Sequence, residues 1–348
     1  MEPIKILIVD DSAFMRKMLS DILNRDRRIQ VIGTARNGED GLQKASNLEP
    51  DVITLDVEMP KMDGLTALVN LMKIKPIPVV MVSSLTSEGA DSTIKAMTLG
   101  AVDFISKPSG SISLDIHKIG PSIVRKVLTA SKAKLPKERH MVHKQMSVEA
   151  KFTTTKAFNT PNKIVAIGTS TGGPRALQTV LASLPEGLNW PIVVVQHMPK
   201  GFTKSLARRL HALSRITVKE AEDGEVLQNG TAYIAPGDEH IGIELRNNEL
   251  VVDLKRSEPI MGHRPSVNYL FQSLSQLKIS TLAIIMTGMG ADGTEGLIQL
   301  KKRNTDTYVI AEAEETSIVF GMPKAVIKSK LADEVIPVDK ISERIRDL

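Results

Sequence analysis

Two groups of polar side chains in this sequence are of types that do chemistry together. The first is Asp10, Asp11, Asp56, Ser83 and Lys107. Carboxylates gathered at one place repel one another, and such a cluster is tolerable when it holds a hard cation such as Mg2+, which prefers oxygen ligands. A cation beside a carboxylate can also bind the oxygens of an incoming phosphoryl group. Ser83 can donate to that group, Lys107 can pair with it, and Asp56, alone after its apolar run, is the natural acceptor. Helix capping is the plainer reading of Asp11-Ser12. It leaves Asp56, Ser83 and Lys107-Pro108 unexplained.

The second group centres on Gly168-Thr-Ser-Thr-Gly-Gly173. A dinucleotide-binding turn needs Gly-x-Gly-x-x-Gly and an acid ending the next strand. Here the spacing is Gly-x-x-x-Gly-Gly and the next apolar run ends in Gln196-His197. A phosphate-cradling or purely structural glycine turn is a second reading. The third is a nucleophile turn that exposes Ser170 between strand and helix, with the N–H of Thr171 as a candidate oxyanion donor. That reading requires a histidine base and a carboxylate. His197 falls where a base belongs, at the end of the neighbouring strand. His240 and His263 are loop candidates, either substrate contacts or merely exposed. His117 lies in the first domain, His140 and His143 in the connecting segment, and His211 on a helix surface. Asp292, within Thr287-Gly-Met-Gly-Ala-Asp-Gly293, ends a third strand; its rivals Asp223 and Asp238 sit in turn-like sequence that explains them. The chemistry would be acyl transfer: Ser170 attacks an ester carbonyl, His197 takes its proton, Asp292 holds the imidazole, and water releases the acyl group.

These residues need strand ends to hold them, and the pattern supplies them. Apolar runs at 4–9, 29–35, 52–55, 79–82 and 102–105 alternate with helical patterns at 13–24, 38–47, 64–73, 88–98 and 113–129. Such βαβ repetition predicts five parallel strands with helices on both faces, a flavodoxin-like arrangement. Loops at the carboxyl ends of such strands form the functional crevice. Alternation lapses over 131–162 and then resumes. Strands are expected at 164–167, 192–196, 231–235 and 282–286, helices at 174–183, 202–212 and 266–277, and a hairpin at 240–254 turning at Asn247-Asn248. The second unit is therefore a doubly wound α/β domain with a mostly parallel sheet and an antiparallel hairpin. The expected domains are 1–128, a basic flexible linker at 129–162, and 163–348.

Composition narrows the function. The 348 residues are 42% apolar and 24% charged, as in ordinary globular proteins. The absence of cysteine excludes disulfides, thiol catalysis and Cys-ligated zinc. The net charge is +5, but 131–163 alone carries eight Lys/Arg against two Glu, so the rest is near −1. The positive charge belongs to a solvated connector, and no nucleic-acid partner is expected. The start Met-Glu-Pro-Ile-Lys has no signal pattern, and no apolar run reaches the roughly 18 residues of a membrane helix. A cytoplasmic protein without direct membrane insertion is expected.

Over residues 4–125 the acid constellation, with Leu55-Asp-Val-Glu-Met-Pro-Lys-Met-Asp-Gly64, resembles the response-regulator receiver family. The resemblance implies phosphoryl transfer to Asp56 from a chemotaxis histidine kinase, Mg2+ at Asp10, Asp11, Asp56 and the backbone of Glu58, and an aromatic switch at Phe104. The motifs Gly168–Pro174, Gln196-His-Met-Pro-Lys-Gly-Phe202, Ala235-Pro-Gly-Asp238, Arg264-Pro-Ser-Val267 and Thr287–Gly293, in this order, resemble the CheB methylesterase family. That resemblance implies a Ser170–His197–Asp292 triad, an oxyanion contact from the Met289 N–H, and no cofactor for hydrolysis. It further implies that the substrates are glutamate γ-methyl esters on the cytoplasmic helices of chemoreceptors, often with deamidation of receptor glutamines. A complete switch joined to a complete hydrolase predicts that the unphosphorylated first domain packs over the Ser170 cleft. The competing class, a phosphorylation-gated binding or transcription regulator, would need a compact basic recognition helix after the receiver, and residues 164–348 show none.

Overall fold

The computed structural model describes residues 2–107, 112–135 and 163–347, with 112–119 described by backbone alone. Pro108, His140, His143 and most of the expected linker lie outside the described residues, and the side chain of His117 is not described.

The first domain runs β1 (Ile4–Val9), α1 (Ala13–Leu23), β2 (Ile29–Ala35), α2 (Gly38–Leu48), β3 (Val52–Asp56), α3 (Gly64–Ile74), β4 (Val79–Ser83), α4 (Ser87–Leu99), β5 (Asp103–Ser106) and α5 (Ile112–Ala130). The sheet order is β2-β1-β3-β4-β5, with every pair parallel. Strands β3 and β4 are buried along their whole length, because crossover helices cover both faces. Each of the first four helices starts at a residue whose side chain accepts an orphan N–H: Ser12 from Met15, Asn37 from Asp40, Asp63 from Thr66 and Thr86 from Gly89. Strand order reverses between β1 and β3, so the crevice opens where Asp10 and Asp56 sit. Helix α5 runs to Ala130, two residues past the expected domain boundary.

The second domain comprises β6 (Lys163–Thr169), α6 (Gly173–Leu181), β7 (Ile192–Gln196), α7 (Phe202–His211), β8 (Thr217–Glu220), β9 (Thr231–Ile234), β10 (His240–Arg246), β11 (Glu249–Lys255), α8 (Val267–Leu274), β12 (Ser280–Ile285), α9 (Thr294–Arg303), β13 (Thr307–Glu312), α10 (Met322–Lys328), β14 (Glu334–Ile336) and α11 (Val338–Arg346). Seven strands form one sheet, β14-β13-β12-β6-β7-β9-β8, parallel at every pair. The expected hairpin is β10–β11, a separate two-stranded sheet. Asn247 and Asn248 at its turn both take positive φ, as a tight hairpin requires.

Helices here start differently. Gly172, Gly201, Gly293 and Gly321 precede α6, α7, α9 and α10 without a side-chain cap. At Gly172, φ is +80° and a Cβ would meet Ile318 at 2.6 Å, so only glycine fits the turn after Ser170. The chain leaves β6 for β7, β8 and β9 on one side and returns to β12 on the other, which puts the switch point at β6/β12.

The two domains touch along α4 and α7. Phe104 of β5 stacks on Phe202 of α7 with ring centroids 4.5 Å apart, and Arg208 pairs with Asp91 at 2.6 Å. Among the described residues, no helix is long and apolar enough to cross a membrane.

Candidate functional sites

In the first domain, Asp10, Asp11 and Asp56 each present a carboxylate oxygen, and these oxygens lie within 4.8 Å of one another. Asp10 and Asp56 are buried, and Asp11 is exposed. The Lys107 ammonium bonds Asp56 Oδ2 at 2.7 Å and lies 3.7 Å from Asp10 Oδ2. Burial pushes the Asp56 carboxyl up to about 6, aided by the Asp10 charge and opposed by Lys107. Burial likewise raises Asp10, with Lys107 again opposing. For Lys107, the bond and charges of Asp56 and Asp10 outweigh burial and raise its pKa. Asp10 Oδ2 is buried without a hydrogen-bond partner. An orphaned carboxylate oxygen among three all-oxygen donors fits a hard cation. Glu58 donates its backbone N–H to Asp56 Oδ1 at a long 3.4 Å. The Ser83 hydroxyl, at the end of β4, donates to the carbonyl of Gly89 at 3.0 Å. Phe104 is buried at the domain interface, where it stacks on Phe202.

In the second domain, Ser170 follows β6, His197 follows β7 and Asp292 follows β12, and all three line one cavity of about 370 Å3. The turn at Ser170 is fastened on both sides. Its N–H donates to Thr287 O at 3.0 Å and its carbonyl accepts from Gly173 N at 2.8 Å. The Gln196 amide nitrogen donates to the carbonyls of Ser170 and His197, tying the two turns together. Gly288 lies so close that a Cβ there would sit 2.8 Å from the Ser170 Cβ.

His197 Nε2 meets Asp292 Oδ2 at 2.7 Å, while Nδ1 is buried without a partner. Nδ1 is therefore the nitrogen left to take up a proton. Asp292 is held by four further donors. Its Oδ1 accepts from the Ser266 hydroxyl, Asn268 N and Gly293 N, and its Oδ2 also accepts from Val267 N at 2.7 Å. Burial alone would raise this carboxyl, but the His197 bond and charge and the backbone donors of α8 outweigh it and hold it below the usual range. The carboxylate thus sits on the positive end of α8.

Among the described residues, the N–H groups of Thr171 and Met289 donate to no protein acceptor, and both residues line the cavity. The Thr171 hydroxyl donates to Asp103 Oδ2 of the first domain at 2.7 Å, and Asp103 Oδ1 also takes the Lys126 ammonium at 2.6 Å. The cavity is walled on one side by Asp103, Phe104, Lys126 and Thr129. Nothing in the sequence marked Asp103 or Lys126, since each is an ordinary charge until the domains meet.

The other histidines separate cleanly. His263 stacks on His197, with ring centroids 3.9 Å apart and the ring planes nearly parallel. Burial, and then the neighbouring His197 charge, push its pKa down to about 4. His240 is not a loop residue: it opens β10, is fully buried, accepts at Nδ1 from Ser266 N and meets Glu258 O at Nε2. Its place is structural, fixing the turn that offers Ser266 to Asp292. His211 ends α7 on the surface, with Nδ1 accepting from Val218 N. Asp223 binds Leu254 N and Asp238 pairs with Arg264, as their turn-like sequences suggested.

A parallel-sheet phosphoacceptor fold joined to an α/β domain of this kind defines a response regulator with an enzymatic output. Residues 165–345 match the CheB methylesterase family and residues 6–117 the response regulator receiver domain, and the chain belongs to the CheB methylesterase family. It is 55% identical to the protein-glutamate methylesterase/protein-glutamine glutaminase of Geobacillus kaustophilus (strain HTA426), covering 100% of this chain and 99% of that one. It is 49% identical to the protein of the same name in Bacillus subtilis (strain 168), over 98% and 97%. The crystal structure of the Thermotoga maritima CheB methylesterase catalytic domain matches at 49% identity and a TM-score of 0.52, covering 53% of this chain and 97% of that one.

His263 generates a pH prediction. Held neutral, it binds fewer protons than the unfolded chain between about pH 6.5 and 4, so its contribution to stability falls as the pH drops through that window. His263→Gln is expected to make the unfolding free energy shallower there by up to about 1.4 kcal/mol per pH unit. Urea unfolding of both proteins at several pH values measures it, and an unchanged slope contradicts it.

Proposed function

We propose that this chain hydrolyses glutamate γ-methyl esters on the cytoplasmic helices of chemoreceptors, and deamidates glutamines there, under control of phosphorylation at Asp56. The enzyme class follows from family membership and the relatives' names. The observation that carries the residue roles is the convergence of Ser170, His197 and Asp292 on one cavity, with the imidazole already bound to Asp292 through Nε2.

In this reading, His197 Nδ1 takes the Ser170 proton as Oγ attacks the ester carbonyl. Asp292 stabilises the resulting imidazolium and keeps Nε2 protonated. The N–H groups of Thr171 and Met289 receive the oxyanion, each such donor being typically worth ~3 kcal/mol of barrier. The imidazolium returns its proton to the leaving methoxide as methanol departs. Water, deprotonated by the same nitrogen, then frees the glutamate. Nothing in this sequence calls on a cofactor.

At the first site, the Asp56 carboxylate attacks phosphorus in a phosphodonor, taken to be the phosphohistidine of a chemotaxis kinase, and the P–N bond breaks to release the donor's imidazole. Lys107 pairs with the phosphoryl oxygens and Ser83 donates to them. Mg2+ would be held by Asp10, Asp11, Asp56 and the backbone of Glu58, and would neutralise charge on the transferring group.

Regulation is read from the wall between the sites. Asp103, Phe104, Lys126 and Thr129 of the first domain line the cavity that holds Ser170, on the side from which a receptor helix would have to bring its ester. Phosphorylation at Asp56 would release this wall through the Phe104 and Asp103 contacts of β5.

Ser170→Ala is expected to lower methanol release from methylated receptor by at least about a thousandfold; equal rates would remove Ser170 as nucleophile. Asp56→Asn should retain the basal rate and lose stimulation by a phosphodonor, measured in the same assay. Deletion of residues 1–150 should raise the basal rate, and an unchanged rate in a folded fragment would sink occlusion.

A further inference from the structure

Glu312, the last residue of β13, is fully buried in the second domain and plays no part in the chemistry above. Among the described residues no cation pairs with it. Its Oε2 accepts from Thr287 N at 2.7 Å, and its Oε1 accepts from the Thr316 hydroxyl at 3.0 Å. A buried carboxyl with so few donors is costly to a fold, and an apolar residue would serve packing better.

What it holds explains its presence. Thr287 is the residue through which the two candidate oxyanion turns are joined. Its carbonyl accepts from Ser170 N at 3.0 Å and from the Thr169 hydroxyl at 2.9 Å. Its own hydroxyl donates to Thr171 O at 2.9 Å and accepts from Val319 N at 3.0 Å. Two residues further on is Met289. The Thr287 N–H is the remaining polar group of that residue, and Glu312 takes it.

We propose that Glu312 is a positioning residue for ester hydrolysis: by gripping the Thr287 peptide it fixes the Ser170–Thr171 turn and the Gly288–Met289 loop relative to each other. The proposal rests on the reading of Ser170 as nucleophile and of Thr171 and Met289 as oxyanion donors. Burial pushes the Glu312 carboxyl up to about 7, with the bonds from Thr287 and Thr316 opposing. Its required role is accordingly that of an acceptor, which either protonation state and an amide can fill. In Glu312→Gln the amide oxygen accepts from Thr287 N, while the amide nitrogen donates to the Thr316 oxygen, whose proton turns to Ala313 O, 3.4 Å away.

The test measures kcat and KM for methanol release from methylated receptor by the phosphorylated full-length chain. Glu312→Ala is expected to lower kcat about tenfold to a hundredfold, the scale of a small misplacement of reacting groups, with KM within threefold of wild type. Glu312→Gln is expected to keep kcat within threefold. A kcat for folded Glu312→Ala within threefold of wild type overturns the proposal, as does Glu312→Gln being as slow as Glu312→Ala. Glu312→Met, which keeps the volume and removes both acceptor oxygens, serves if Glu312→Ala does not fold: a lowered kcat at constant KM supports the role, and an unchanged kcat overturns it. Ser170→Ala in the same assay separates the two levels. If it stays active, the underlying reading fails; if it is inactive while the Glu312 variants behave as wild type, only the positioning role fails.

Discussion

A parallel sheet covered on both faces can carry polar chemistry only where its strands end. Along β3, β4, β6 and β7 almost every residue is buried, and the backbone is satisfied by its neighbours in the ladder. Asp10, Asp56 and Ser83 gather at one such edge, and Ser170, His197 and Asp292 at the other. Both sites follow from this constraint. So does their meeting, because β5 of the first domain delivers Asp103 and Phe104 against Thr171 and Phe202 of the second.

Three buried carboxyl groups then meet the cost of burial in different ways. Asp292 receives five donors, including two backbone N–H groups at the start of α8, and its pKa falls. Asp56 has Lys107 at 2.7 Å but also Asp10 beside it, and it rises to about 6. Glu312 has two donors and, among the described residues, no cation, and it rises to about 7. Donor number sets Asp292 apart, and the Lys107 ammonium distinguishes Asp56 from Glu312. The proposed roles follow these differences: a permanent anion facing an imidazole, a group awaiting a cation and a phosphoryl group, and a neutral-tolerant acceptor that orients backbone.

The interface between domains is mixed in kind, combining apolar packing of α4 on α6 and α7, the Phe104–Phe202 stack, the buried Thr171–Asp103 bond, the Thr129–Met289 contact and the exposed Asp91–Arg208 pair. Exposed pairs such as Asp91–Arg208 contribute little, about 0–1 kcal/mol. The holding therefore falls to apolar packing and to the buried contacts, of which Phe104–Phe202 and Thr171–Asp103 are made by β5, the strand next to β4. A change of a few kcal/mol at these two contacts is enough to invert a two-state population. Such an interface can be biased from Asp56 without rebuilding either core.

Much of this was legible in the chain. Alternating apolar runs located the five strands of the first domain within a residue or two, and Asn247-Asn248 located the hairpin turn. Residue types at strand ends located both candidate sites, because carboxylates, serine, lysine and histidine are conspicuous after Val/Ile runs. Other features were not legible. Strands β8 and β14 are short and half-exposed, and they exist through pairing with β9 and β13 rather than through their own pattern. His240 and His263 looked alike in sequence, yet one is a buried strut and the other stacks on His197. Glu312, Asp103 and Lys126 carry no local signal. The sequence by itself determined which residue types end each strand, since backbone periodicity is a local property. Only the tertiary structure decided which nitrogen of His197 meets Asp292, which carboxyl lacks a partner and which domain walls the cavity. Hydrogen bonds and burial depend on groups brought together from distant parts of the chain.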